Sequence, residues 1–357
     1  MTREKSVHIV GAGLSGLVAA ICLAREGHEI TVLERAKSIG GLHPHHPSNH
    51  STPVNVELMK DYVGIDITPC LTPQTHMYVH VGGRRYSLSW NCYSVERGPR
   101  KTSLDTFLYE LALKAGVKFE FDQVITNPLD LPDPTILATG LFPETYKALD
   151  RPVMRLPCFS ATRKVTDPGR QGEIRTWFGS YTNTYGYAPI NNELDYILLF
   201  SDRELSPGNL KRFEEELDRS EGLRFDRWDA FEVFVPMGRP DAPRLFEGGK
   251  ILAGTLAGMM EPGAYFGIHG ALLSGKIAAT AVRDPEGAAR DFKRFSKGYK
   301  LSWYRNRWMN NPQKLIFHRL YFRLPALFGP LMSMTDSGIP GIEHFMSGMK
   351  PTFVGSY

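Results

Sequence analysis

The sequence predicts an α/β fold: a parallel, βαβ-wound domain split in sequence, an inserted antiparallel β-sheet domain and a C-terminal helical tail. Three observations predict it. Residues 8–34 read as strand, glycine turn, helix and strand. Short alternating β segments crowd residues 153–235. A strand, loop and helix that fit the first domain return at residues 251–282. The expected boundaries are residues 1–152 and 245–300 for the parallel domain, 153–244 for the inserted sheet and 301–357 for the tail.

The first unit is the most specific. His8-Ile9-Val10 is a short apolar strand that runs into Gly11-Ala12-Gly13-Leu14-Ser15-Gly16. An apolar helix follows to Arg25, ended by Gly27-His28, and Glu29-Ile30-Thr31-Val32-Leu33 is a second strand ending at Glu34. Gly11 permits the tight turn, Gly13 lets the backbone approach a pyrophosphate and Gly16 lets the helix pack on the sheet. The helix start offers N–H groups and a positive dipole end to phosphates. Glu34 stands where an acid accepts hydrogen bonds from an adenosine ribose.

At 357 residues the chain can hold one large α/β domain with an insertion, or two domains sharing an interface. With 42 basic and 38 acidic residues, the charge is too balanced to point to nucleic acid. The four cysteines (Cys22, Cys70, Cys92, Cys158) are far apart, with no zinc or disulfide spacing. They predict a reduced, cytoplasmic protein. No signal peptide and no membrane-spanning stretch is expected.

Further along, Gly40-Gly41 lets the chain pass close to a bound dinucleotide. His43-Pro44-His45-His46-Pro47 reads as a loop beside the cofactor, because its prolines prevent a helical metal pair. Residues 57–63 read as helix, and residues 77–88 as a hairpin turning on Gly82-Gly83. A helix capped by Thr102 or Ser103 presents Leu104, Phe107, Leu108, Leu111 and Ala112, and Gly116 stops it. Residues 117–121 and 135–140 are strands. The insertion offers strands at 158–165, 174–178, 185–190, 196–200 and 231–235, broken by a charged helix at 210–219. Helices follow at 267–282 and 287–299. The tail from 301 to 332 is aromatic and basic.

These segments, in this order, resemble the flavoprotein superfamily of aromatic hydroxylases, flavin halogenases and geranylgeranyl reductases. Four matches carry the resemblance. The glycine unit with Glu34 and Gly40-Gly41 is the first. Arg97, then Asp105-Thr106-Phe107-Leu108 and Ala115-Gly116-Val117, is similar to the family's Arg, "DxxL" and "AGV" segment. Ala138-Thr139-Gly140 is similar to its "ATG". Residues 254–279, through Pro262, Gly267-Ile268 and Ser274-Gly275, are similar to the reductase pattern "GDAAG…P…GI…AL.SG..AA". Tyr185-Gly186-Tyr187-Ala188-Pro189-Ile190 is loosely similar to the reductases' "GYGWIFP" strand.

The resemblance implies a Rossmann-like FAD-binding domain with an inserted substrate sheet. It implies reduction of a carbon–carbon double bond by hydride from reduced FAD, with NADPH or NADH, or a redox protein, as electron donor. The halogenase "WxWxIP" and the hydroxylase "DG" have no counterpart, which favours the reductase branch. The family's ribityl-binding aspartate is Thr255 here, so the charge-assisted acceptor is replaced by a hydroxyl.

The candidate cofactor contacts of the first half are Gly11, Gly13, Leu14, Ser15, Gly16, Glu34, Arg35, Gly41, Leu42, Arg97 and Val124. Those of the second half are Ala138, Thr139, Gly140, Thr255, Pro262, Gly267 and Ile268. His269 and Tyr265 are candidate catalytic groups; His269 either donates a proton or packs beside its helix start. Trp177, Tyr187 and Phe266 are substrate-side candidates, with core packing the alternative for Trp177 and Tyr187. No metal is expected. The tail reads as a helix on a membrane surface, a lid over an apolar or aromatic substrate, or a helix packed on the domain. Three functions compete: the reductase, a flavin monooxygenase or halogenase, and a flavin-binding protein without turnover.

Overall fold

The computed structural model describes residues 6–41, 43–74, 76–89, 92–309 and 350–356, with residues 316 and 320. Leu42 and most of residues 310–332, both named above, lie outside the described residues. The chain opens with β1 (Ser6–Val10), α1 (Leu14–Arg25) and β2 (Glu29–Leu33). β1 and β2 pair in parallel, Ile9 opposite Val32. Ten of the twelve residues of α1 are buried, from Leu14 to Leu23. A helix that is apolar all round is a core helix, so α1 has no solvent face to make polar.

Next come β3 (Ser48–Thr52), α2 (Val56–Val63), β4 (Leu71–Pro73), the hairpin β5 (His76–Val81) and β6 (Arg84–Ser89), and β7 (Tyr93–Arg97). The Asn55 side chain accepts from the Leu58 N–H and caps α2. The strand β3, which the sequence reading passed over, pairs with β7, and β7 with β4, in a small antiparallel sheet. Then follow α3 (Leu104–Lys114), β8 (Lys118–Glu120), β9 (Thr135–Leu137) and α4 (Pro143–Ala148). Ser103 is the cap of α3, its Oγ accepting from the Thr106 N–H.

The inserted region supplies β10 (Met154–Lys164), β11 (Glu173–Phe178), β12 (Gly186–Asn191), β13 (Leu194–Phe200), α5 (Pro207–Glu221) and β14 (Asp229–Val235). The chain then returns with β15 (Phe246–Glu247), β16 (Lys250–Leu252), α6 (Ile268–Ala281), α7 (Pro285–Phe295) and α8 (Tyr299–Met309). The strand β17 (Lys350–Ser356) closes the described chain.

Two large sheets result. The first has the order β15-β16-β9-β1-β2-β8 and is parallel apart from β15. Its central strands are continuous apolar runs because helices cover the sheet. The second has the order β14-β10-β13-β12-β11-β5-β6-β17. It extends beyond residues 153–244, because the β5–β6 hairpin joins it through a parallel pair that sets Thr176 opposite Val79. Pairing over that separation is settled by packing, which a local pattern does not record.

The second sheet has two apolar faces, separated by register. Trp177 lies opposite Gly186 and Thr176 opposite Tyr187, so Trp177 and Tyr187 point to opposite sides. On one side Trp177, Ile197 and Leu199 pack with Phe213 and Leu217 of α5. On the other, Leu156, Cys158, Tyr187, Tyr196 and Phe200 meet Leu141, Met260 and Tyr265 of the first domain, with Tyr299 and Trp303 of α8.

The junction between α1 and α6 is the tightest helix contact in the first domain. A Cβ on Gly275 would stand 2.5 Å from the Ser15 carbonyl oxygen and 2.8 Å from Val18 Cβ. Both obstacles belong to a buried helix, so neither yields cheaply. Gly275→Ala is therefore expected to cost about 1–3 kcal/mol, read as a lower Tm. An unchanged Tm would mean that the two helices are free to separate.

Candidate functional site

The site is built at the C-terminal edge of the parallel sheet. Gly11 has φ +104°, and a Cβ there would lie 2.6 Å from the Ala138 carbonyl oxygen. A Cβ on Gly16 would stand 2.0 Å from the Gly11 carbonyl oxygen. Those two positions close the turn. Gly13 differs: its φ is −76° and no atom of the described residues lies within 4 Å of where a Cβ would be. Space is thus kept open over Gly13. The start of α1, at Leu14 and Ser15, has no side-chain cap and no acid in its first turn. Its N–H groups and dipole are left for an anion. Glu34 is pinned beside this turn, accepting from the Ala12 N–H at 2.7 Å and the Ala36 N–H at 2.8 Å. A carboxylate has about four acceptor positions, so two remain for ribose hydroxyls.

The segment after β8 runs alongside, with the Gln123 N–H donating to the Glu34 carbonyl at 2.9 Å. It leaves Val124 61% exposed, an apolar surface next to the acid. Arg35 lies over the Phe142 ring at 4.2 Å and pairs with Glu144 at 3.5 Å. Gly41 meets the His46 ring, where a Cβ would come within 2.7 Å.

Arg97 ends β7 and is gripped bidentately by Asp105 at 2.7 and 2.8 Å. Asp105 also accepts from the Gly98 N–H at 3.0 Å. Burial alone would push the Asp105 carboxyl up. The Arg97 guanidinium and these hydrogen bonds outweigh it and hold the group below the usual carboxylate range. Sequence reading noted Arg97 and the "DxxL" aspartate in one motif without seeing that they grip each other.

The second half comes from distant sequence. Ala138, Thr139 and Gly140 follow β9, and the Thr139 hydroxyl is buried with no partner among the described residues. A Cβ on Gly254 would lie 2.5 Å from Ser15 Oγ, so Thr255 sits half-buried near the start of α1. Pro262 is buried, and Gly267 precedes Ile268 at the head of α6, again without a side-chain cap or a first-turn acid. The orphaned Thr139 hydroxyl, the open space over Gly13 and two uncapped helix starts fit an adenine dinucleotide carrying a flavin.

The substrate-side candidates separate. Trp177 is fully buried against α5, its Nε1–H donating to Ser220 Oγ at 3.0 Å and its ring stacked on His80. It is core, and register keeps it from the face that meets the first domain. Tyr187 is on that face, its hydroxyl 2.9 Å from His50 Nδ1. Tyr265 adopts φ +62°, a strained conformation for a non-glycine residue, and meets Phe200 edge-on at 5.1 Å. Phe266 is half-buried in the same loop, its carbonyl accepting from the Glu261 N–H. His269 is fully buried, and burial pushes its pKa down to about 3, so it is neutral and packed at the helix start.

The histidine loop disperses among different partners. His43 is 3.4 Å from Asp229, His45 meets Phe231 edge-on and His46 Nδ1 is 2.8 Å from Ser48 Oγ. Sequence reading missed Ser48 and His50. The signal was there: His46, Ser48 and His50 alternate, as residues on one side of a strand do. Helix α8 packs over the rim: Tyr299 OH donates to the Pro236 carbonyl, Trp303 Nε1–H to Met237 and Asn306 Nδ2 to Gly263. No helix among the described residues is long and apolar enough to cross a membrane.

Two expectations follow from this geometry. Gly13→Ala fills empty space, so it should change apo-protein stability by less than about 1 kcal/mol while weakening FAD binding by about tenfold or more. Thermal melting of apo-protein and a fluorescence titration check both parts; undiminished FAD affinity would place the pyrophosphate elsewhere. Asp105→Asn should cost about 3 kcal/mol at neutral pH, read by urea denaturation. Because the Asp105 pKa is depressed, its pairing stabilises the fold fully above the unfolded value of about 3.9. That stabilisation is lost as pH falls through the folded pKa. The gap between variant and wild type should therefore narrow in acid.

Known proteins share parts of this sequence and its fold. Residues 9–57 match the model of an NAD(P)-binding Rossmann-like domain. A flavin-containing monooxygenase of Arabidopsis thaliana, FMO GS-OX1, is 24% identical over 206 residues, 55% of this chain and 44% of that protein. The match thus spans less than half the length of that relative. A geranylgeranyl bacteriochlorophyll reductase-like protein from Thermoplasma acidophilum superposes with a TM-score of 0.66 at 17% identity, covering 86% of this chain and 88% of that one. The structure of CtdE in complex with FAD gives a TM-score of 0.57 at 14% identity, covering 87% of this chain and 94% of that one. The match to an NAD(P)-binding Rossmann-like domain thus covers the first βαβ unit, and the chain shares its overall fold with that reductase-like protein and with CtdE.

Proposed function

We propose that this protein is an FAD-dependent oxidoreductase that reduces a carbon–carbon double bond in an apolar, isoprenoid-like substrate. The observation that carries the reading is the facing of two surfaces. Tyr185, Tyr187, Tyr196 and Phe200 line the second sheet where it meets Leu141, Met260 and Tyr265 at the edge of the dinucleotide cradle. An apolar substrate held between them lies against the flavin end of that cradle. The fold likeness to the reductase-like protein, over most of both chains, supports the choice.

The chemistry that FAD supplies when bound is hydride transfer. The chain does the rest. The turn at residues 11–16 and the start of α1 would hold the pyrophosphate, Glu34 the ribose and Val124 the adenine. Arg97, fixed by Asp105, places a cation by the cofactor. The Thr255 hydroxyl would bond the ribityl chain. The uncapped start of α6 would stabilise negative charge at the flavin's pyrimidine edge. The aromatic wall and α8 would keep water from the bound substrate. Electrons come from NADPH or NADH, or from a redox protein. Four free thiols suit a reducing, cytoplasmic setting.

A second reading is a flavin monooxygenase, favoured by the monooxygenase relative. A purified protein that is yellow and is bleached anaerobically by NADPH supports both. Oxygen from labelled O₂ in the product overturns the reductase reading; a product gaining two hydrogens supports it. A colourless protein with no thermal shift on adding FAD overturns both and leaves a protein without turnover.

A further inference from the structure

We propose that His46, Ser48 and His50 form a proton relay that ends on Tyr187 and carries protons between the loop beside Gly41 and the aromatic face of the second sheet that meets the first domain. The contacts are continuous. His46 Nδ1 is 2.8 Å from Ser48 Oγ, Ser48 Oγ is 2.8 Å from His50 Nε2, and His50 Nδ1 is 2.9 Å from the Tyr187 hydroxyl. Ser48 is fully buried, so its hydroxyl has the two imidazoles as partners in place of water. His46 lies against exposed Gly41 at one end. Tyr187 stands on the sheet face that meets the first domain, among Tyr185 and Tyr196, at the other.

The chain can be polarised in two ways, and each pairs every donor between His46 Nδ1 and the Tyr187 oxygen. In one, Tyr187 donates to His50 Nδ1, His50 Nε2–H to Ser48 and the Ser48 hydroxyl to His46 Nδ1. In the other, His46 Nδ1–H donates to Ser48, Ser48 to His50 Nε2 and His50 Nδ1–H to Tyr187. Passing one proton along converts the second into the first. That exchange needs neutral imidazoles. Burial, and after it the positive charge of Arg97, pushes His46 and His50 down to about 3, so both are neutral near pH 7.

The destination of the proton rests on the reductase reading. Hydride brings both electrons to one carbon, and the other carbon needs a proton. Tyr187 gives its hydroxyl proton to that carbon and takes the Nδ1 proton of His50. His50 Nε2 takes the Ser48 proton, Ser48 Oγ takes the Nδ1 proton of His46, and His46 Nε2 takes one from water. One proton leaves solvent, one reaches carbon, and no group keeps a charge. Tyr187 is then the catalytic residue, and His46, Ser48 and His50 supply it.

The test has one arm that needs neither substrate nor FAD. Nitrogen NMR of protein with labelled histidine should show both imidazoles neutral near pH 7. Ser48→Ala should move the ring-nitrogen signals of both His46 and His50, and Tyr187→Phe those of His50. Charged imidazoles, or a Ser48→Ala variant that leaves either ring unchanged, would overturn the relay. In turnover, Ser48→Ala should lower kcat roughly 100-fold and enlarge the solvent deuterium isotope effect. KM and the anaerobic reduction of bound flavin should stay as in wild type. Full kcat in that variant would also overturn the relay. A wild-type protein without turnover defeats the reductase reading, while the imidazole signals still decide the relay.

Discussion

The close approach of backbone to backbone around the first glycine turn is the constraint on which the rest of the structure depends. A Cβ at Gly11 would run into Ala138, one at Gly16 into Gly11, and one at Gly275 into Ser15. With no side chain at these points, β1, α1, β9 and α6 meet at one place. The site follows from that meeting, because α1 begins there uncapped and the ends of β9 and β16 pass beside it. A helix start left uncapped in a packed core is costly unless something negative fills it. The same junction therefore orders the core and creates the demand for a ligand.

The second sheet answers that demand from the other side. Its strands come from three separate stretches of chain, and register gives each face its own task. Trp177 and Phe213 anchor α5 on one side, while Tyr187, Tyr196 and Phe200 face the first domain. The small sheet of β3, β7 and β4 joins the two bodies: the Asn49 side chain donates to the carbonyls of Asn191 and Leu194 in the large sheet. On the same short sheet, Arg97 ends β7, and β3 carries Ser48 and His50 toward Tyr187. The position of Arg97 and the line from Ser48 to Tyr187 are thus set by one element.

What was legible in the sequence was local. The first βαβ unit shows in its glycine spacing and apolar runs, α3 in its serine cap and i, i+3, i+4 stripe, and the β5–β6 hairpin in its paired glycines. Each of these signals lies within a window of one or two turns. The partner of β5 was not legible, because β11 lies far along the chain. Nor was the face of Trp177: it shares a side with Glu173 and Arg175 on a strand buried on both sides, so alternation gives no orientation. Among the site residues, the glycines and Glu34 are placed by motif. The grip of Asp105 on Arg97 needed coordinates, and so did the line from His46 to Tyr187, although its alternating spacing was visible.

The central claim is that the cradle around Gly13 and Glu34 holds the adenosine end of FAD and so governs flavin binding. Titrating apo-protein with FAD and with FMN, which lacks the adenosine half, tests it most directly. The account expects FAD to bind with quenching of its fluorescence and FMN to bind at least about 100-fold more weakly, a difference of about 2.7 kcal/mol. Equal affinity for the two flavins, or no binding of FAD, would contradict it.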